Sequence, residues 1–303
     1  MRAVVTGGLG FVGRHLVDHL LEQGDTVTSL DHTGSHAVDI TDGTGVATAI
    51  AEVAPDAVYH LAGWADVGSS WDHPAEVFRV NAEGTLHVLQ ACIAADVRRV
   101  LNVASAEVYG IVTPDELPLD EGAPLRPTSP YAASKVAAEA LAHQAFLGHG
   151  LEVIRVRPFN HLGPGQSERF AAPAIAGRIA RAERDGRSSI PVGNLSARRD
   201  LTDVRDVVRA YRLLVEKGDP GEVYNVCSGR DVSIQSLADE LVHLASVPIE
   251  LVPDPALLRP LDLPVQRGDA SRLQAATGWA PSFELRHTLA DLLEDMRRRV
   301  AEE

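Results

Sequence analysis

Two apolar rhythms alternate through the first half of the chain. Short, β-branched-rich runs at Ala3–Thr6, Thr26–Leu30, Asp56–Leu61, Arg99–Ala104 and Glu152–Arg157 read as strands. Between them, Phe11–Glu22, Val46–Val53, Ala75–Ala94 and Tyr131–Gly148 carry helical periodicity. One more strand is expected just ahead of Asp39-Ile40, which makes Asp56–Leu61 the fourth. Alternating strand and helix predicts a parallel sheet with helices on both faces. Right-handed crossovers then give a doubly wound α/β fold.

After Pro158 the texture changes. Prolines and glycines cluster at 163–165, near 191–193 and from 248 to 264, and we read these stretches as loops around smaller elements. Ligands of doubly wound sheets bind beyond the carboxyl ends of the strands, so a second lobe there would close over a substrate. The chain returns to the sheet near Tyr224–Val226. We therefore expect a Rossmann domain of 1–160 plus about 198–227, interleaved with a substrate lobe of 161–197 and 228–303.

Composition narrows the partners. The 303 residues are 45% hydrophobic, 23% charged and 5% aromatic, normal for a globular protein with an aliphatic core. A formal net charge of −14 argues against nucleic acid and anionic membranes as partners, and an anionic substrate would need local arginines. Cys92 and Cys227 form no redox or zinc spacing. Met1–Gly7 runs straight into a strand and a glycine turn without a signal-peptide core, and no run is long enough to span a bilayer. A cytoplasmic protein is expected. His15 and His19 share a helix face, but no third ligand accompanies them, and no metal is expected.

The chemistry starts at Thr6-Gly7-Gly8-Leu9-Gly10-Phe11-Val12-Gly13, between the first strand and the first helix. Gly7, Gly10 and Gly13 let backbone N–H groups approach a pyrophosphate and let helix pack on sheet, while the helix N-terminus attracts the anion. Asp31 ends the second strand; an acid there accepts hydrogen bonds from an adenosine ribose and repels a 2′-phosphate, which favours NAD over NADP. Asp39 and Ile40 fall where an adenine contact is expected. Leu61 and Ala62 end a strand beside the cofactor.

Ser105 and Glu107 follow the fifth strand and so face the same crevice. Tyr131 and Lys135 lie four residues apart, one turn along one face of a helix. An ammonium near a phenol is expected to favour the phenolate, so that Tyr131 could exchange a proton with a sugar hydroxyl. Ser105 could hydrogen-bond that hydroxyl. Glu107 reads equally as an acid or base and as a cap of the next element.

In combination, the T-G-x-x-G-F-V-G loop, Asp39-Ile40, His60-Leu61-Ala62, Asn81-x-x-Gly84-Thr85, Ser105 and Tyr131/Lys135 resemble an extended short-chain dehydrogenase/reductase over essentially the whole chain. The stretch Arg157-Pro158-Phe159-Asn160-His161-Leu162-Gly163-Pro164-Gly165-Gln166, with Val192–Leu195, Arg199–Asp206, Tyr224–Gly229 and Leu258-Arg259-Pro260, resembles GDP-4-keto-6-deoxymannose reductases and, less closely, GDP-mannose 4,6-dehydratases. The resemblance implies Pro158 beside the cofactor and Ser70, Asn160 and Asn194 in the substrate site, with Asn160 on the sugar or the diphosphate. It also implies Arg199 and Arg259 on a diphosphate, where forked, charge-assisted hydrogen bonds suit phosphate oxygens.

The implied activity is that of a nucleotide-sugar oxidoreductase at C4 of a hexose, most like reduction of a GDP-4-keto-6-deoxy sugar. Asp31 departs from the arginine that such reductases often carry. It keeps open an NAD-retaining lyase of the 4,6-dehydratase or UDP-glucuronate decarboxylase type. A silent cofactor sensor is disfavoured by the intact Ser105, Tyr131 and Lys135. The alanines at 132, 133, 137, 138, 140 and 142 allow close helix packing, and the resemblance implies a homodimer through that helix.

Overall fold

Odd and even residues of the first strand go to opposite sides: Ala3 and Val5 enter one core cluster and Val4 another. The same division repeats at Ala57 and Tyr59 against Val58, and at Ile154 and Val156 against Val153. A strand apolar on both faces belongs in the middle of a layered α/β structure. The computed structural model of the protein describes residues 1–257 and 263–303.

The chain order is β1 (Arg2–Thr6), α1 (Phe11–Glu22), β2 (Thr26–Leu30), α2 (Gly43–Val53), β3 (Ala57–His60), α3 (Pro74–Phe78), a π turn (Arg79–Glu83), α4 (Gly84–Ala94), β4 (Arg99–Val103), α5 (Pro130–His149), β5 (Glu152–Pro158), β6 (Asn160–Leu162), α6 (Ala171–Asp185), β7 (Ser189–Val192), β8 (Arg198–Asp203), α7 (Val204–Lys217), β9 (Val223–Val226), β10 (Asp231–Ser233), α8 (Ile234–His243), β11 (Glu250–Pro253), β12 (Val265–Gln266), α9 (Ser271–Thr277) and α10 (Leu285–Ala301).

The central sheet has six parallel strands in the order β2-β1-β3-β4-β5-β9. Leu16 and Leu20 of α1, Val207, Tyr211 and Leu214 of α7 and Leu273 of α9 cover one face. Ile50 of α2, Val88 and Cys92 of α4 and Ala142 and Ala145 of α5 cover the other. The fold is thus doubly wound. The winding reverses between β1 and β3, which opens a crevice at their carboxyl ends.

The strand expected before Asp39 is reduced to a single bridge, Asp31 to Ala37, with the Val38 N–H donating to the Asp31 carbonyl at 2.7 Å. Gly34, at φ +96°, turns the chain too soon for a longer pairing. The helix expected over Ala75–Ala94 contains the π turn, and Asn81 lies within it.

A third core cluster joins Ile175, Ile179 and Ala176 of α6, Leu237 and Leu241 of α8 and Leu289, Leu292 and Met296 of α10. Beside it lie the sheet β10-β8-β12, with β6 paired to β8, and the parallel pair β11-β7. The proline-rich stretch after 248, read above as loop, contains β11. It is an edge strand whose Val252 and Pro253 are exposed, and it pairs Leu251 with Ile190. Prolines survive at such edges because no ladder N–H is needed on the open side. Among the described residues, no helix is long and apolar enough to cross a membrane.

Candidate active site

The loop from β1 to α1 is shaped by missing side chains. A Cβ on Gly13 would stand 2.0 Å from the Gly7 carbonyl oxygen, and one on Gly7 would stand 2.8 Å from the Ala62 nitrogen. Gly7 also holds φ +71°. Gly10 caps α1 without a side-chain bond, and the first turn has no acid, so the N–H groups of Phe11 and Val12 face an uncontested anion position. Leu61 N–H donates to the Thr6 carbonyl at 3.2 Å, and Ala62 N–H to Thr6 Oγ1 at 3.2 Å. These bonds bring the end of β3 against the loop. A dinucleotide fits such a cradle of close backbone and open helix terminus.

Asp31 is nearly buried and already bonded. Its Oδ2 accepts the Leu9 N–H at 3.0 Å, and its Oδ1 accepts the His32 N–H at 2.8 Å. The acid therefore also pins the glycine loop to β2. Asp39 is exposed and accepts from the Thr41 N–H and hydroxyl, both at 2.8 Å, which holds its carboxyl below the usual range. Ile40 packs where Gly84 leaves room: a Cβ there would meet Ile40 Cδ1 at 2.7 Å. Phe11 stacks on His161 with centroids 6.1 Å apart, and His15 bonds the Pro164 carbonyl at 2.9 Å. The segment after β6 thus rests on the start of α1.

Ser105 stands at the end of β4 as the cap of a 3-10 turn, Ala106–Tyr109, and accepts the Glu107 N–H at 3.2 Å. Tyr131 and Lys135 are buried on the first turns of α5, whose cap Ser129 accepts the Ala132 N–H at 3.1 Å. The fold brings the Tyr131 phenol close enough to Ser105 and to the Glu107 carboxylate for both to act on its titration. Lys135 Nζ donates to the Val103 carbonyl at 3.0 Å. A Cβ on Gly63 would stand 3.4 Å from that Nζ. Serine, tyrosine and lysine therefore meet at the carboxyl ends of β3 and β4.

The titration differs from the expectation of a favoured phenolate. Burial pushes Tyr131 up to about 12 against the opposing influence of Ser105, with Glu107 raising it further. Burial also lowers Lys135 to about 8. Lys135 spends a proton on a backbone carbonyl, and desolvation outweighs any help it gives the phenol.

The residues expected at the substrate are spread over several elements. Ser70 is buried, and its hydroxyl donates to the Val67 carbonyl at 2.6 Å within its own loop. Pro158 ends β5, and exposed Asn160 opens β6. Asn194, also exposed, accepts from the Ser196 N–H at 3.0 Å. Arg199 lies on β8, opposite Gln266, and donates to the Leu263 carbonyl at 2.6 Å. Arg259 lies outside the described residues.

Two polar groups with no role assigned from sequence flank this site. His60 is buried between Thr6 Oγ1, at 2.8 Å, and Thr85 Oγ1, at 3.0 Å, and burial lowers it to about 3. Asn81 accepts the Trp64 N–H at 2.7 Å and donates to Ser134 Oγ at 2.9 Å. Ser134 in turn donates to the Tyr131 carbonyl at 2.7 Å. Both residues stood in the quoted motifs, but only the fold shows what they bond. The second group joins Glu139, Arg157 and Tyr109. Its sequence signal was a second step of four along α5, from Tyr131 to Lys135 to Glu139.

The sequence profile of the NAD dependent epimerase/dehydratase family matches residues 3–227. The chain is 38% identical to a GDP-6-deoxy-D-mannose reductase of Pseudomonas aeruginosa, an alignment covering 100% of this chain and 99% of that protein. The solved structure of RMD from Pseudomonas aeruginosa complexed with NADPH superposes with a TM-score of 0.91 at 37% identity, over 98% of this chain and 99% of that one. The UDP-glucose 4-epimerase of Thermus thermophilus, in complex with NAD, superposes with a TM-score of 0.88 at 29% identity, over 98% and 99% of the two chains. The chain belongs to the NAD dependent epimerase/dehydratase family.

Proposed function

We propose that the protein is an NAD(P)-dependent nucleotide-sugar oxidoreductase acting at C4 of a diphosphate-linked hexose, most like a reductase of a GDP-4-keto-6-deoxy sugar. One observation carries the reading: Ser105, Tyr131 and Lys135 converge at the carboxyl edge of the sheet beside a glycine cradle. The 38% identity to a GDP-6-deoxy-D-mannose reductase supports the sugar class. Gly7, Gly10, Phe11, Val12, Gly13, Asp31, Asp39, Ile40, Leu61, Ala62 and Pro158 are the proposed cofactor contacts. The acid at Asp31 favours NAD, whereas the relative solved with NADPH shows that both dinucleotides occur in this family.

A bound nicotinamide dinucleotide supplies the hydride. Tyr131, protonated at neutral pH because burial holds it near 12, donates its proton to the oxygen that becomes the C4 hydroxyl. Ser105 orients that oxygen with its hydroxyl, which lies near enough to the phenol to affect its titration. Lys135 carries positive charge below about pH 8, offers it to the cofactor ribose, and eases ionisation of the phenol as its proton leaves. Arg199 and Arg259 are the proposed diphosphate ligands. Ser70, Asn160 and Asn194 are proposed to line the sugar. We assign 1–160 and about 198–227 to the dinucleotide half, and 161–197 and 228–303 to the substrate lobe.

A second reading draws on Glu107. Its carboxylate acts on the Tyr131 phenol, so an acid–base group is at hand for an NAD-retaining lyase. The two readings separate in one assay. The purified protein is incubated with GDP-mannose, its 4-keto-6-deoxy derivative or UDP-glucuronate, with and without NADH or NADPH. Reduction of the keto sugar alone, lost in Tyr131→Phe by about a hundredfold or more, is expected. Turnover of GDP-mannose or UDP-glucuronate without added reductant would sink the reductase reading.

We also propose a cytoplasmic homodimer. Its free, buried cysteines suit a reducing compartment. Ala133, Ala140 and Leu147 stay exposed along one face of α5, with Leu147 at 69%. Sedimentation equilibrium giving a 32.4 kDa species would refute the dimer.

A further inference from the structure

Ser105 and Tyr131 act on each other from two separate elements, the 3-10 turn after β4 and helix α5. Residues 110–129 separate them and contain only a short 3-10 turn, Pro114–Glu116. This connection doubles back, and its Arg126 N–H donates to the Val108 carbonyl at 2.9 Å. That bond ties the connection to the turn, and something further must hold the helix at a set distance.

Arg157, on β5 and 4% exposed, touches both elements. Its Nε and Nη2 fork onto Glu139 Oε2 and Oε1 at 2.9 and 2.6 Å. Its Nη1 donates to the Tyr109 hydroxyl at 3.0 Å and to the Glu121 carbonyl at 3.1 Å. Glu139 lies one turn beyond Lys135 on the same face of α5, and Tyr109 ends the turn that Ser105 caps. Arg155 Nη1 also reaches Glu139 Oε1, at 3.4 Å, and the Tyr109 hydroxyl donates to Asn225 Oδ1 at 2.7 Å. All three members of the group are buried.

We propose that Arg157 is a positioning residue: by gripping Glu139 and Tyr109 at once, it sets the spacing of the Ser105 turn and the Tyr131 helix. A forked arginine–carboxylate pair fixes direction as well as distance. Because the pair is buried, solvent does not compete for its hydrogen bonds. A shift of about 1 Å between the elements would carry the Ser105 and Tyr131 hydroxyls away from the spacing at which both can serve one substrate oxygen. It would also cost about a hundredfold in rate where geometry limits the reaction. The inference rests on the proposed roles of Ser105 and Tyr131.

Removing Arg157 would leave Glu139 buried with far less compensation and unfold the site for trivial reasons. Tyr109→Phe is the better probe, since it cuts one arm of the grip and leaves the ion pair intact. Glu139→Gln loosens the other arm. The chain has five tyrosines, so tyrosine labelled with carbon-13 at Cζ gives few signals, and Tyr131→Phe assigns the one of interest. In both variants the Tyr131 Cζ resonance is expected to move to its position in Ser105→Ala. Their kcat is expected to fall at least tenfold per dinucleotide-binding site, with the dinucleotide Kd within twofold of wild type.

An unchanged Tyr131 resonance in folded Tyr109→Phe would overturn the proposal, whatever the variant's thermal stability, because a merely structural pair predicts that result. Should Glu139→Gln fail to fold, Tyr109→Phe decides alone. Turnover surviving in Tyr131→Phe would refute the proposed function instead, and the resonance comparison would still judge the grip.

Discussion

The two walls of the cleft are built by opposite means. The dinucleotide wall is made by leaving atoms out: Gly7, Gly10 and Gly13 let backbone approach backbone, and no acid contests the start of α1. The wall that carries the proposed diphosphate ligand Arg199 is tied together by charged side chains drawn from distant segments. Arg199 sits beside Asp200, whose buried carboxylate accepts from Ser228 N–H at 2.8 Å, Gly229 N–H at 3.0 Å and Gly268 N–H at 3.2 Å. The first construction is local in the chain; the second requires the fold. A cradle tolerates no added atom, whereas a charged wall tolerates some rearrangement.

The largest effect expected of that contrast is at Gly13→Ala. Its Cβ would be driven to 2.0 Å from the Gly7 carbonyl, a backbone atom that cannot rotate away. Overpacking of this kind costs about 1–3 kcal/mol of stability, and more where backbone is involved. We expect at least about a hundredfold loss of dinucleotide affinity, equivalent to about 2.7 kcal/mol. Fluorescence titration with NADH measures it, and a wild-type Kd would break the comparison.

On the other wall, Arg199→Lys keeps the charge and loses the planar fork. About a tenfold rise in KM for the nucleotide sugar is expected, with kcat and dinucleotide affinity little changed. A fall in dinucleotide affinity of similar size would show that the walls are not independent.

Lys135 stands between the walls, and the smallest effect expected is the change in stability on its removal. Burial lowers it to about 8 from its ordinary 10.5, so in the unliganded protein the folded state holds that proton less tightly than the unfolded chain. Stability from this group therefore rises with pH between about 8 and 10.5, and the cost of the buried charge is fully present below pH 8. Lys135→Met is expected to raise stability by about 1–2 kcal/mol at pH 7, less than the full shift implies because the bond to the Val103 carbonyl is lost. The gain should disappear toward pH 10.5, while turnover is lost. Urea unfolding at pH 7 and pH 10 tests this, and a variant less stable than wild type at pH 7 would contradict it.

Much of the dinucleotide half was legible because its signals are short-range. The alternation that sends Val4 one way and Ala3 and Val5 the other is written in adjacent residues. The cap at Ser129 and the spacing of Tyr131 and Lys135 fall within a few residues of each other. Less could be read where pairing overrides propensity. β11 looked like loop because Pro248 precedes it and Pro253 ends it, and only its partner β7 makes it a strand. The strand before Asp39 shrank to one bridge because the turn at Gly34 left no length to pair. The π turn around Asn81 follows no local pattern, and it places an amide between Trp64 and Ser134.

By itself the sequence determined the doubly wound sheet, the glycine cradle and the face of α5 that carries Tyr131 and Lys135. Periodicity and steric rules act over a turn or a strand at a time. Tertiary structure alone decided that burial would lift the Tyr131 phenol while Lys135 spends its proton on Val103. It alone brought Glu139, Arg157 and Tyr109 into one buried contact. Desolvation and convergence depend on which distant segments pack together, and no spacing along one chain encodes that directly.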